Sequence, residues 1–216
     1  MQYLLWENLA VLACAAVGFL YGARRYLKPH RPLYASMVVL GIGCLLLGRL
    51  FQCLRLLVGS SLTDGFQIGI LGTVGAFSFF FSANYSQMDS LVDDGSPAFA
   101  RYRIFALAGP GLILLLFLFT MDASGLAWKL PTIGMIAASC YYHVKHLLIP
   151  DVEMGIIRCL RSFHILALVL GVLSVLELAA LAGRNETLCL WTCILMSLDC
   201  LAIIPVMDRG IRSWKM

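Results

Sequence analysis

The stretch LYASMVVLGIGCLLLGRLFQCLRLLV, residues 33–58, decides how the rest of the chain is read. Its only charged residues are Arg49 and Arg55. About 20 apolar residues in an α-helix cross the hydrocarbon core of a bilayer, so a run of this length and character reads as a membrane span. Arg49 then lies well inside the span, where an arginine costs roughly 2.5 to 3.5 kcal/mol to insert. It is predicted to face a bundle interior and to have an acidic partner. Glu7, near the start of the first apolar run, and Glu177, late in the sixth, are the carboxylates placed to serve.

Composition supports this reading. Of 216 residues, 61% are hydrophobic and 13% charged. Soluble domains run at about 45 to 50% apolar and about 25% charged. Seven apolar runs with short connections account for the chain: 3–21, 33–58, 66–84, 104–121, 126–149, 163–182 and 188–207. The expected fold is therefore all-α, a single domain over 1–216 built as a bundle of seven transmembrane helices, with the lipid bilayer as its main partner. No room is left for a soluble catalytic or nucleic-acid-binding domain. The net charge of +4 does not point to nucleic acid, because the basic residues gather at the ends of spans.

Those basic residues also set the expected orientation. Twelve of the sixteen lysines and arginines fall on one side, in the segments 24–31, 101–103, 145–161 and 209–215. The positive-inside rule makes that side cytoplasmic. The amino terminus is then outside, the carboxyl terminus inside, and an odd number of spans is required. The first residues lack the basic stretch of a signal peptide, so no cleavage is expected. The expected location is a plasma membrane, of the bacterial type.

Counting along the spans brings three charges to one depth. Arg49 lies about 15 residues into a span entered from the cytoplasm, about 22 Å deep. Glu177 is about 14 residues into another such span, and Glu7 is a few residues into a span entered from outside. Gln52 sits one turn from Arg49, and Ser174 one turn before Glu177. Glu7, Arg49, Gln52 and Glu177 are therefore the candidates for a ligand or ion site near the outer face. A buried ion pair that only fixes helix packing is the competing reading. Asp199, in the middle of the seventh span and two turns after Thr192, is the candidate for proton coupling, since burial favours a protonated carboxyl.

Other residues invite chemistry and are read as structural. His143, His146 and His164 gather near the cytoplasmic face, where histidine needs no special role. Most of the eight cysteines fall inside apolar runs, where cysteine behaves as a small hydrophobe. Cys189 and Cys193 are one helical turn apart, not at a zinc-finger spacing. Neither a cofactor nor a metal site is expected.

The connection from Asp89 through Asp93, Asp94 and Gly95 to Arg101 partly resembles the metal-binding motif of CDP-alcohol phosphatidyltransferases. The second aspartate pair of that motif is missing, because Ala108-Gly109-Pro110-Gly111-Leu112 follows, and a two-metal site would lack half its ligands. The loop is read as solvated. A rhodopsin is excluded because the last span carries no lysine.

Seven spans, an outside amino terminus, very short outer turns and a basic inner end resemble the membrane sensor module that precedes some bacterial histidine kinases. The resemblance implies a sensory or ligand-binding module. No kinase domain follows Trp214-Lys215-Met216, so the output is expected to pass through a partner protein or a homo-oligomer. The alternative is a small-solute or proton-coupled transporter, and a membrane-embedded lipid-modifying enzyme comes third. An enzyme is not the favoured expectation, and no catalytic residues are assigned.

Overall fold

The computed structural model describes residues 2–59, 68–120, 126–150, 155–183 and 185–214. The turns expected at 60–65 and 122–125, together with Arg184, lie outside the described residues. Among those described the chain is helical and holds no strand. In order it forms α1 (Gln2–Tyr26), α2 (Leu33–Leu57), α3 (Ile68–Ala83), a π-helical turn (Asn84–Met88), the short α4 (Asp89–Val92), a 3-10 turn (Pro97–Phe99), α5 (Ala100–Ala106), α6 (Ala108–Thr120), α7 (Leu126–Leu148), α8 (Ile156–Ala182) and α9 (Glu186–Trp214).

Five helical stretches are long and apolar enough to cross a membrane: Leu4–Tyr26, Leu33–Leu57, Pro97–Thr120, Ile156–Ala182 and Glu186–Trp214. Their outward faces are apolar as well. Leu47 is 65% exposed, Leu198 59% and Phe119 82%. A soluble protein rarely leaves such a surface to water, and lipid removes the cost. The molecule thus has the character of a multi-pass, all-helical membrane protein. The remaining two long helices, α3 and α7, are not among the five. The described part of α3 has 16 residues, and α7 carries Lys129, His143, Lys145 and His146 on its buried side.

Side-chain contacts give each helix a direction. α1 and α9 run parallel, since Gly18 lies against Cys200 and Gly22 against Ile204. One turn further on, Arg25 pairs with Asp208. Two parallel helices at the ends of the chain require an odd number of passes. α2 and α3 are antiparallel, with Gly48 against Gly69 and Gly72, and Gly41 against Phe80. α7 and α8 are antiparallel too, with Gly171 on Cys140 and His143 on His164. The core between them is built from Val38, Ile42, Phe77, Phe80, Ile136, Phe163, Leu170 and Met196, all essentially inaccessible.

In the fourth run the helix breaks before Pro110, between Ala106 and α6. Proline lacks the N–H that would bond the carbonyl four residues back, and its ring clashes there. That carbonyl belongs to Ala106, so the break falls one turn before the proline. Leu107 bonds back three residues to Ile104 (3.1 Å) and Gly111 resumes the α-pattern on Leu107 (2.9 Å).

The α2–α3 contact is a close backbone approach with glycine on both sides. A Cβ on Gly72 would lie 2.6 Å from both the Cys44 carbonyl oxygen and the Gly48 Cα, and one on Gly48 would lie 2.6 Å from the Gly69 carbonyl oxygen. These are backbone atoms and cannot swing aside. Small residues that let backbones meet are a main device of helix association in lipid. Gly72→Ala or Gly48→Ala is expected to cost about 1 to 3 kcal/mol by overpacking. Gly111→Ala, with nothing within 4 Å of its Cβ, should be neutral or stabilising. Unfolding by titration with a denaturing detergent distinguishes them, and equal midpoints for all three would contradict this account.

Candidate functional site

Arg49 reaches the bundle interior because its position on α2 shares a face with Ile42, Leu45 and Cys53, all buried. Its side chain is 3% exposed and that of Glu177 is 9% exposed. The guanidinium holds the Glu177 carboxylate with both terminal nitrogens, Nη1 on Oε1 and Nη2 on Oε2. This is the two-pronged geometry that suits arginine to a carboxylate. Nη1 also donates to Asn8 Oδ1 at 3.1 Å and to Gln52 Oε1 at 3.2 Å, and Nη2 lies 3.4 Å from Met196 Sδ. One side chain on α2 therefore meets residues of α1, α8 and α9.

Of the sequence candidates, Arg49, Gln52 and Glu177 come together. Glu7 shares the neighbourhood, and Glu177 lies near enough to act on it electrostatically. Its place on Arg49, however, is taken by the adjacent Asn8. A scan for charges passes over a neutral amide, although an intramembrane asparagine one position from Glu7 was a signal of its own. Glu7 turns to α9 instead, with its carboxyl within hydrogen-bonding reach of the Cys189 thiol. Its Oε2 is buried and has no hydrogen-bond partner among the described residues.

A cleft opens beside the ion pair. It is lined by Gln52 and Arg55 of α2, Gly69 and Thr73 of α3, Thr132 of α7, and Ser174 and Glu177 of α8. Its free volume is about 30 Å³, room for about two waters. Glu177 is thus both the anchor of Arg49 and part of the cleft wall.

Asp199 is apart from this group. It is 4% exposed, and neither carboxyl oxygen has a hydrogen-bond partner among the described residues. Thr192, two turns before it, donates its hydroxyl to the Cys189 carbonyl at 2.8 Å.

The opposite end of the bundle holds a second polar network that sequence reasoning left as interface residues. Asn84, the first residue of the π-helical turn, donates Nδ2 to the Phe80 carbonyl (2.9 Å) and to His143 Nε2 (3.2 Å). His143 Nδ1 then carries the proton and donates it to His164 Nδ1 at 2.9 Å. His164 is left with its proton on Nε2, which is buried and without a partner among the described residues. The His146 ring stands 5.2 Å from that of His164, and its Nε2 is 3.6 Å from Asp89 Oδ1. All three histidines are inaccessible.

Beyond Asp89, Lys145 Nζ joins Asp89 (2.6 Å) and Asp93 (2.8 Å), and Arg103 grips Asp93 from Nε and Nη2, both at 2.7 Å. The loop is therefore not uniformly solvated: Asp94 is exposed, while the Asp93 side chain is 3% exposed. The Arg103 guanidinium, against the cost of desolvation and with help from Lys145 and the Gly95 amide, holds the Asp93 carboxyl well below the usual range. At the same end Asp208 of α9 receives Tyr21, Arg25 and Tyr26 of α1 and Arg212 of its own helix. No family model, curated protein or solved structure matches the chain.

Two outcomes follow from these contacts. Arg49→Leu leaves the Glu177 carboxylate buried and unpaired, and removing one member of such a pair costs about 3 to 5 kcal/mol. Arg49→Leu with Glu177→Leu should recover a substantial part of that loss. A double variant no more stable than the single one, by detergent unfolding, would contradict the pairing energetics.

The second outcome concerns acid. A carboxyl whose folded pKa lies below its unfolded value, about 3.9 for aspartate, contributes stability above that value and loses it as pH falls through the folded pKa. Asp93→Asn should therefore lower stability at neutral pH and flatten the loss of stability below about pH 4. Asp94→Asn should act in the same direction but more weakly, because Asp94 is exposed and is held by the Ser96 amide rather than by Arg103 and Lys145. Thermal melts across an acid series read both slopes.

Proposed function

We propose that the protein is a seven-span transmembrane module, amino terminus outside and carboxyl terminus in the cytoplasm, in a plasma membrane of the bacterial type. Within that class we read it as a sensory or ligand-binding module that acts through a partner protein or a second copy of itself. The parallel α1 and α9 support the odd number of spans. The strongly basic end that carries Arg25, Arg103, Lys145 and Arg212 supports the orientation.

One observation carries the sensing reading. Glu177 holds α2 to α8 through Arg49 and at the same time lines a cleft of mixed polar and apolar lining near the predicted outer face. A small polar ligand entering the cleft meets the carboxylate that fixes helix packing. If it competes with Arg49 for that carboxylate, it shifts how α2 sits against α8. That is differential contact with two packings, which is what a population shift requires. A cleft with room for about two waters is scaled to regulation by a small group.

The runner-up is a proton-coupled transporter, favoured by the two unpartnered oxygens of Asp199 inside the bundle. Asp199 lines neither the outer cleft nor the groove found at the other end around Tyr34 and Leu160.

The test uses Glu177→Gln as a stand-in for ligand capture of the carboxylate. Spin labels at positions 31 and 158, both exposed at the basic end, report the separation of the α2 and α8 ends in lipid nanodiscs. Cys14, Cys44 and Cys159, the partly accessible thiols, are replaced by serine. A changed distance distribution in the variant is the expected result, and an unchanged one overturns the coupling. Proton flux in proteoliposomes that disappears in Asp199→Asn would put the transporter first.

A further inference from the structure

We infer that Glu7, Cys189 and Cys193 form a binding site for a thiophilic divalent metal ion, with zinc(II) the best fit. The three donors come from two helices that the fold holds parallel. Cys189 and Cys193 lie one turn apart on the same face of α9, and Glu7 lies on the second turn of α1 beside them. One ligand atom from each, two sulfurs and a carboxylate oxygen, lies within 4.8 Å of the others. Zinc–sulfur bonds of about 2.3 Å at a tetrahedral angle separate the sulfurs by about 3.8 Å, so closure needs shifts of about an ångström or less.

All three residues are buried: Glu7 is 9% exposed, Cys189 4% and Cys193 2%. Glu7 Oε2 has no hydrogen-bond partner among the described residues. Arg49 is already taken by Glu177. A buried carboxylate without a cation is costly, and a divalent ion supplies what the protein does not. The donor set favours zinc over its competitors. Two thiolates select against magnesium and calcium, and the carboxylate oxygen makes the site harder than copper(I) prefers.

Binding forms two zinc–sulfur bonds and one zinc–oxygen bond as the two S–H bonds break, and the protons leave to the aqueous phase. No electron changes hands. Three protein ligands leave the fourth position of a tetrahedral ion open, as in sites whose metal takes a further ligand. Cys193 interacts electrostatically with both Arg49 and Glu177, so the ion would be felt by the pair that joins α2 to α8. Only this last step rests on the sensing reading. Metal binding stands or falls by itself, whereas the spin-label distance tests the coupling.

The experiment is metal uptake by the full chain, reduced and metal-free, in lipid nanodiscs. Zinc(II) is titrated against a chromophoric chelator, and cobalt(II) serves as a spectroscopic substitute. One ion per chain and a thiolate-to-cobalt charge-transfer band are expected. Cys189→Ser and Cys193→Ser should each weaken zinc binding at least tenfold and diminish the band, and Glu7→Gln should weaken binding about tenfold with the band retained. Cys159→Ser, at the opposite end, should change neither.

Because a core substitution can perturb folding, the unaltered protein supplies a second readout. Zinc should slow maleimide alkylation of Cys189 and Cys193, followed by peptide mass spectrometry, and leave Cys159 unaffected. Absence of stoichiometric uptake, uptake retained in either α9 serine variant, uptake indifferent to Glu7→Gln, or alkylation at α9 unaltered by zinc would each overturn the site.

Discussion

A guanidinium held by a carboxylate in a water-poor interior is the constraint on which the rest of this bundle depends. Burying either charge alone is costly, and the cost of separating them ties α2 to α8 over whatever else the helices do. The remaining nitrogen-borne protons must also be met, which draws in Asn8 from α1 and Gln52 from α2 itself. Lipid supplies little hydrophobic force between helices, because the tails are as apolar as leucine. Specific polar contacts and close backbone packing then decide which helix faces which. The α2–α3 glycines and the Arg49 pair divide that work: the first brings one neighbour close, the second selects the other two.

The two ends of the molecule solve the burial of charge differently. At the end holding Asp93 and Asp208, each carboxylate collects several donors from the water-facing side, and arginines and tyrosines close over it. At the end holding Glu7, donors are scarce. One carboxylate has taken the arginine, and the other is left with thiols. This asymmetry gives the Glu7 end the incompletely satisfied groups from which binding sites are made, whereas the opposite end reads as a clamp. The histidine chain from Asn84 to His146 sits between these regimes. It begins at a π-helical turn whose first residue, Asn84, continues the buried face of Phe77 and Phe80, and π-turns recur at functional positions.

Much of this was legible in the sequence because a membrane imposes strong, countable rules. Length and hydropathy gave the helices, and counting 1.5 Å per residue brought Arg49 and Glu177 to one depth from separate spans. What counting could not reach was azimuth. Depth placed Glu7 beside Arg49, but the rotation of α1 presents Asn8 to the arginine and turns Glu7 toward α9. Rotation is set by packing, here by Gly18 and Gly22 against α9, and no periodicity argument resolves a shift of one residue. Asp208 escaped for a related reason. The seventh apolar run ends at Met207, just before it. Yet α9 continues to Trp214, since tyrosines and arginines from α1 make its last turns worth ordering. The early break before Pro110 was a matter of reading the proline where it stands rather than four residues back, where its missing N–H is felt.

The same rotation links the packing of α1 to the chemistry at its first turns. Were α1 turned by one residue, Glu7 would compete with Glu177 for Arg49 and Asn8 would face the α9 cysteines. Two carboxylates on one guanidinium would leave an uncompensated negative charge in the interior, and an amide is a poor partner for a metal held by thiolates. The observed setting gives the arginine one carboxylate and the amides of Asn8 and Gln52, an arrangement in which the pair's charges cancel. It places the second carboxylate where two soft donors already meet. A close backbone contact between Gly18 and Cys200, some three turns away, thus decides which of two adjacent side chains is spent on stability and which stays open to bind.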